Sequence, residues 1–123
     1  MTNEIYYCLI GKVRKKFWWA KGMWGTEGQP AEVVFDYAQV IQRDDTKHDV
    51  VGFFHTHPQM SYLPSSTDYD TMGAWTNCLG KPLVCVIKGC NGIRAHWFID
   101  DETKPITQWT KKIGSFFIGR TLC

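Results

Sequence analysis

One continuous run constrains the fold more than any other part of the chain: Val50-Val51-Gly52-Phe53-Phe54 leads directly into His55-Thr56-His57-Pro58. Such unbroken apolar character is expected of a central strand covered on both faces. Pro58 has no N–H for a sheet ladder and ends the strand. Because strand side chains alternate between faces, His55 and His57 share one face at the strand's C-terminal end and can share one metal ion. The chain then loops through Gln59 to Leu63, and Pro64 with Ser65 announces a helix whose start can return Asp68 towards the histidines.

Each half of this pattern also has an ordinary reading. Two histidines on one strand face can simply hydrogen-bond within a core, and Ser65-x-x-Asp68 is a common helix start in which the acid favours the N-terminal dipole. Together they form a more specific set. His55, His57 and Asp68 supply three of the four positions of a zinc ion, leaving one for water, and His₂Asp ligation keeps the metal electrophilic. Peptide hydrolysis at such a site needs a general base near that water, a role that suits a glutamate.

The rest of the chain supplies the frame. Glu4 to Ile10 is rich in aromatic and β-branched residues and reads as a buried strand closing at Gly11, with a second strand over Lys12 to Trp19. Gly22, Gly25, Gly28 and Pro30 mark Ala20 to Pro30 as a mobile loop carrying Met23 and Trp24. Ala31 to Phe35 reads as a strand, and Asp36 with Gln39 as the start of a short helix running to about Asp44. Ser65 caps a helix to about Leu79, stopped by Gly80 and Pro82. Leu83 to Ile87 and Ile93 to Ile99 form a hairpin about Cys90-Asn91-Gly92. From Pro105, Ile106, Trp109, Ile113, Phe116 and Phe117 recur at helical spacing and predict a closing helix that lies over the sheet. His48 and His96 read as surface or strand residues.

With 123 residues the chain is expected to form one domain over 1–123, and a hydrophobic fraction of 44% excludes a disordered chain. The net charge of +2 is too small to indicate nucleic acid. The local run Lys12-Val13-Arg14-Lys15-Lys16 is read as a solvated strand edge, or as a contact for an acidic or phosphate-bearing partner. Cys8, Cys78, Cys85, Cys90 and Cys123 include no C-x-x-C pair and follow no secretory segment, which predicts a reduced, cytoplasmic setting. No apolar run approaches the ~20 residues of a membrane span.

His55-x-His57-Pro58, then Pro64-Ser65-x-x-Asp68, with Val51-Gly52 before them, resembles the JAMM (MPN-plus) zinc metalloprotease motif. The family's upstream element, similar to E-x-x-G-L-L-x-G, is matched by Glu4 to Gly11 at the Glu, at an apolar pair and at the final Gly, with Tyr7 standing where Gly is usual. The resemblance implies Zn²⁺ bound by His55, His57 and Asp68, Glu4 as general base, and Ser65 as hydrogen-bond donor to the oxyanion. Glu27 and Glu32, the other upstream glutamates, lack that context. The implied fold is α/β, an α/β/α layered structure with a mixed central sheet related to cytidine deaminases. Deaminase chemistry is not implied, because its H-x-E and P-C-x-x-C elements are missing.

Short members of that family occur in prokaryotes beside ubiquitin-like, E1-like and E2-like proteins. The resemblance therefore implies an isopeptidase or peptidase cleaving after the C-terminal glycine of a ubiquitin-like protein or its precursor. The tail would be held by β-augmentation on a strand edge, and Trp18, Trp19, Trp24 and the basic run would dock the folded body. Two alternatives stay open: a peptidase acting on sulfur-carrier proteins or small peptides, and a non-catalytic MPN-like interaction module.

Overall fold

The computed structural model of the chain describes residues 4–28, 37–99 and 105–121. Among these described residues seven strands and two helices follow in the order β1 (Glu4–Val13), β2 (Phe17–Gly28), α1 (Tyr37–Lys47), β3 (Val50–Thr56), α2 (Ser66–Leu79), β4 (Leu83–Gly89), β5 (Gly92–Phe98), β6 (Ile106–Ile113) and β7 (Phe116–Arg120). The strands close on one another as β1-β2-β7-β6-β5-β4-β3. Only β3 and β4 run parallel, as a strand–helix–strand crossover through α2 requires, and the other neighbours are antiparallel.

The two faces of this sheet are buried in different ways. Trp18, Trp97, Phe54 and Phe117 fill the barrel interior with Leu9, Val84 and Val86. On the outer face, Val40 of α1 and Met72 and Trp75 of α2 pack on Cys8, Val50, Phe53, Leu83, Cys85 and Phe98. Residues of β3 and β4 are shared between these two clusters, so Val50–Phe54 and Leu83–Ile87 are continuously apolar, as strands buried on both faces must be.

This arrangement is α/β with a mixed sheet, but it departs from the layered α/β/α expectation. Among the described residues both helices lie on the outer face, and the opposite face is covered by the sheet's own curvature. The predicted closing helix is the cause of the difference. Residues 106–120 form the hairpin β6–β7, turning at Gly114-Ser115 with Gly114 at φ 60°. The spacing of Trp109, Ile113, Phe116 and Phe117 fits a helix, but the two-residue turn restarts the alternation. Phe117 then points into the barrel while Trp109, Ile113 and Phe116 stay exposed. β7 pairs with β2 and closes the ring.

Two further expectations change with it. The segment from Ala20 is not a loop but a continuation of β2, paired with β1 through Glu4↔Gly28 across an irregularity between Tyr7 and Leu9. Trp18 is fully buried against Trp97, so it cannot form part of a docking surface. Among the described residues the ring closes along only part of β2, which pairs with β7 over Phe17–Lys21 and continues from Gly22 on β1 alone. The strand expected over 31–35 lies outside the described residues. No described helix is long and apolar enough to cross a membrane.

Candidate metal centre

The C-terminal end of β3 and the N-terminal end of α2 meet at one point, and local sequence explains each side. His55 is the last fully buried residue of β3, with its ring stacked on Tyr6 of β1 at 4.5 Å between centroids and 14° between planes. His57 follows one residue beyond the strand, where its N–H still bonds the Lys88 carbonyl of β4 at 2.8 Å. On the helix side Ser65 is the N-cap, with extended backbone. Its Oγ accepts the Asp68 N–H at 3.2 Å, while the Asp68 carboxylate accepts the Ser65 N–H at 2.8 Å. This reciprocal box fixes the first turn and aims the carboxylate inward.

His55, His57 and Asp68, all buried, bring their ligand atoms within 4.8 Å of one another. His55 Nε2 lies 2.8 Å from Asp68 Oδ1, His57 Nε2 lies 3.0 Å from Asp68 Oδ2, and the two Nε2 atoms are 2.9 Å apart. His57 Nδ1 faces the Ser61 carbonyl at 2.9 Å, a partner that can only accept, so this nitrogen carries the proton. In the neutral ring Nε2 is then a bare lone pair directed at the carboxylate and at His55. Burial lowers the pKa of His55 more than the Asp68 carboxylate raises it, so this ring too is held neutral. Three electron-rich atoms converging without enough protons to separate them form a donor set that fits a divalent cation. Burial alone would raise the Asp68 carboxyl, but hydrogen bonds from His55 and from the Ser65 backbone N–H outweigh it and hold the group well below the usual carboxylate range.

Several supporting residues were not legible as such in the sequence. The loop over 58–65 is clamped to the β4–β5 turn: Cys90 N–H bonds the Met60 carbonyl at 2.7 Å and Tyr62 N–H bonds Asn91 Oδ1 at 3.0 Å. Gly89 lets that loop close in, since a Cβ there would stand 2.4 Å from the Ser61 carbonyl carbon and the Tyr62 nitrogen. His96 is fully buried in β5, with Nε2 2.7 Å from the Tyr62 carbonyl, and holds the same loop from below. Cys85 Sγ lies 3.7 Å from His55 Nδ1, and burial foremost raises its thiol pKa well above the ordinary range. Nothing local in the sequence marks these roles, which depend on register between distant strands. His48 is unrelated to the centre; it is exposed and ends α1 in a left-handed conformation at φ 55°.

Beside His57 a groove of about 280 Å³ opens between Ile5 and Gly89, with Thr56, Pro58 and Lys88 on its walls. The backbone of Glu4 stands at the start of β1, two residues before Tyr6 and opposite Gly28 of β2.

A closed mixed barrel with a strand-end histidine pair and a helix-start aspartate converging on one point defines an α/β domain with a candidate metal centre. Over residues 3–100 the chain matches the family described as prokaryotic homologs of the JAB domain, and it belongs to that family. The matched span holds every residue of the centre and ends before the β6–β7 hairpin. No curated protein matches the chain.

Proposed function

We propose that this protein is a zinc-dependent peptidase or isopeptidase of the JAMM type, acting on the bond after the C-terminal glycine of a ubiquitin-like protein or its precursor. The observation that carries this reading is the convergence of His55 Nε2, His57 Nε2 and the Asp68 carboxylate in a member of the JAB family. Zinc held by these three atoms would supply Lewis acidity and a water of lowered pKa.

The remaining work falls to the chain. His57 is oriented by donating Nδ1–H to Ser61, and Asp68 by the Ser65 N–H, so the donor set is preorganised before substrate arrives. Ser65 Oγ uses a lone pair on the Asp68 N–H, which leaves its hydroxyl proton to donate to an oxyanion. Glu4 is the proposed general base. Its backbone stands on β1 two residues before Tyr6, whose ring lies against His55. The groove between Ile5 and Gly89 has His57 in its wall, which would bring an extended tail lying in it beside the centre.

The experiment is cleavage of a linear fusion that carries a ubiquitin-like domain ending in Gly-Gly. Wild-type protein is expected to release the domain, and Glu4→Gln to retain zinc while losing ~10²-fold or more in rate. A Glu4→Gln protein with full activity would remove Glu4 from the mechanism. A wild-type protein that binds zinc but cleaves neither fusions nor peptides would identify an interaction module.

A further inference from the structure

The end of the barrel away from the metal centre carries a second cavity, of about 450 Å³. It opens where β3 begins, and strand rise separates Val50 from His55 by roughly 17 Å, so the two sites are distinct. Lys12 and Arg14 from the end of β1 and its turn, Lys47 from the last turn of α1, and Lys81 from the entry to β4 line it, with Asp49 the one carboxylate in its wall among the described residues. These cations are far apart in sequence, and folding gathers them.

Part of this charge is already answered. Asp49 is held by Arg43 through two hydrogen bonds at 2.8 and 2.6 Å, and Lys81 reaches Asp44 at 2.6 Å. The end of α1 favours Lys47 through its terminal carbonyls, and the Arg14 guanidinium lies 5.4 Å over the Trp19 ring. Neither contact cancels a full charge. Among the described residues Lys12, Arg14 and Lys47 face no carboxylate within ion-pair distance, so the cavity keeps a surplus of positive charge that costs self-repulsion. The volume is in the range of small-molecule sites and exceeds what a single phosphate fills, and the exposed Val13 and Pro82 give it an apolar side.

We propose that this cavity binds a small molecule bearing a polyphosphate chain, with the phosphates on Lys12, Arg14 and Lys47 and any organic group against Val13 and Pro82. This is the part of the basic run that the metal centre leaves unused.

The test is calorimetric titration of the zinc-loaded full chain, near physiological salt, with tripolyphosphate, ATP and adenosine. Saturable binding of tripolyphosphate and ATP is expected, weakened about tenfold or more by Lys12→Ala and by Lys47→Ala. It is expected unchanged by Lys111→Ala, a cation on the outside of β6, and retained in His57→Ala, which separates the cavity from phosphate on a metal ion. Tighter binding of ATP than of tripolyphosphate would assign the apolar wall to an organic group, and equal binding would assign the site to the phosphate chain alone. Absence of saturable binding, equal weakening by Lys111→Ala, loss in His57→Ala, or adenosine binding as tightly as ATP would each overturn the proposal.

Discussion

Ser65 and Asp68 hold each other through two hydrogen bonds, the Ser65 N–H on the Asp68 carboxylate at 2.8 Å and the Asp68 N–H on Ser65 Oγ at 3.2 Å. The same Oδ2 that caps the helix also faces His57 at 3.0 Å, so helix initiation and assembly of the metal centre use one oxygen.

This sharing separates two substitutions. Ser65→Ala removes the cap and is expected to cost about 1 kcal/mol of stability while leaving metal affinity largely intact. Asp68→Asn keeps size and can still accept a hydrogen bond, but it removes the anionic ligand and is expected to abolish tight metal binding. Urea unfolding of the metal-free proteins and zinc titration of each variant give the two readouts.

His96 is expected to impose a pH dependence on stability. Burial foremost lowers its pKa in the folded protein, against the raising effect of the Tyr62 carbonyl. The unfolded chain therefore takes up this proton at the higher pH, near the ordinary histidine value of about 6.5. The contribution is full above that value and is lost as the pH falls from it towards the folded value. The difference in unfolding free energy between wild type and His96→Gln, followed from pH 8 downward, should shrink over that window.

The cysteines are expected to divide by position. Burial foremost raises the thiol of Cys8 to about 12 and that of Cys85 well above the ordinary range, whereas Cys78 and Cys90 are exposed. Site-resolved mass spectrometry after brief alkylation of the native protein at pH 8 should show Cys78 and Cys90 modified, and Cys8 and Cys85 only after denaturation.

Barrel closure is expected to depend on Gly119. It lies opposite Trp18 in the β2–β7 pair, and a Cβ there would stand 2.7 Å from three atoms of the buried indole. Gly119→Ala should cost about 1–3 kcal/mol by overpacking, measured by urea unfolding. A neutral effect would mean that the Trp18 ring shifts freely.

What the sequence disclosed was what local chemistry decides. The α2 boundaries follow from the Ser65 box and from Gly80, whose left-handed φ of 69° ends the helix. The β4–β5 hairpin follows from Cys90-Asn91-Gly92, and the three metal-centre residues from strand alternation joined to that helix start. Closure of the barrel was hidden, because it depends on Trp18 meeting Gly119 across a chain separation that no local pattern records. The glycines of β2 suggested a loop, yet Gly22 and Gly25 pair with Leu9 and Tyr7. Residues 106–117 satisfied helical spacing by coincidence, and Gly114-Ser115 was the signal that favoured a hairpin.

Zinc content of the purified protein tests the central claim most directly. Wild-type protein is expected to hold about one zinc per chain after dialysis, and His57→Ala and Asp68→Asn to hold none while remaining folded. Wild-type protein that retains no zinc when reconstituted, or a His57→Ala variant that retains it as tightly, would contradict a metal centre built from His55, His57 and Asp68.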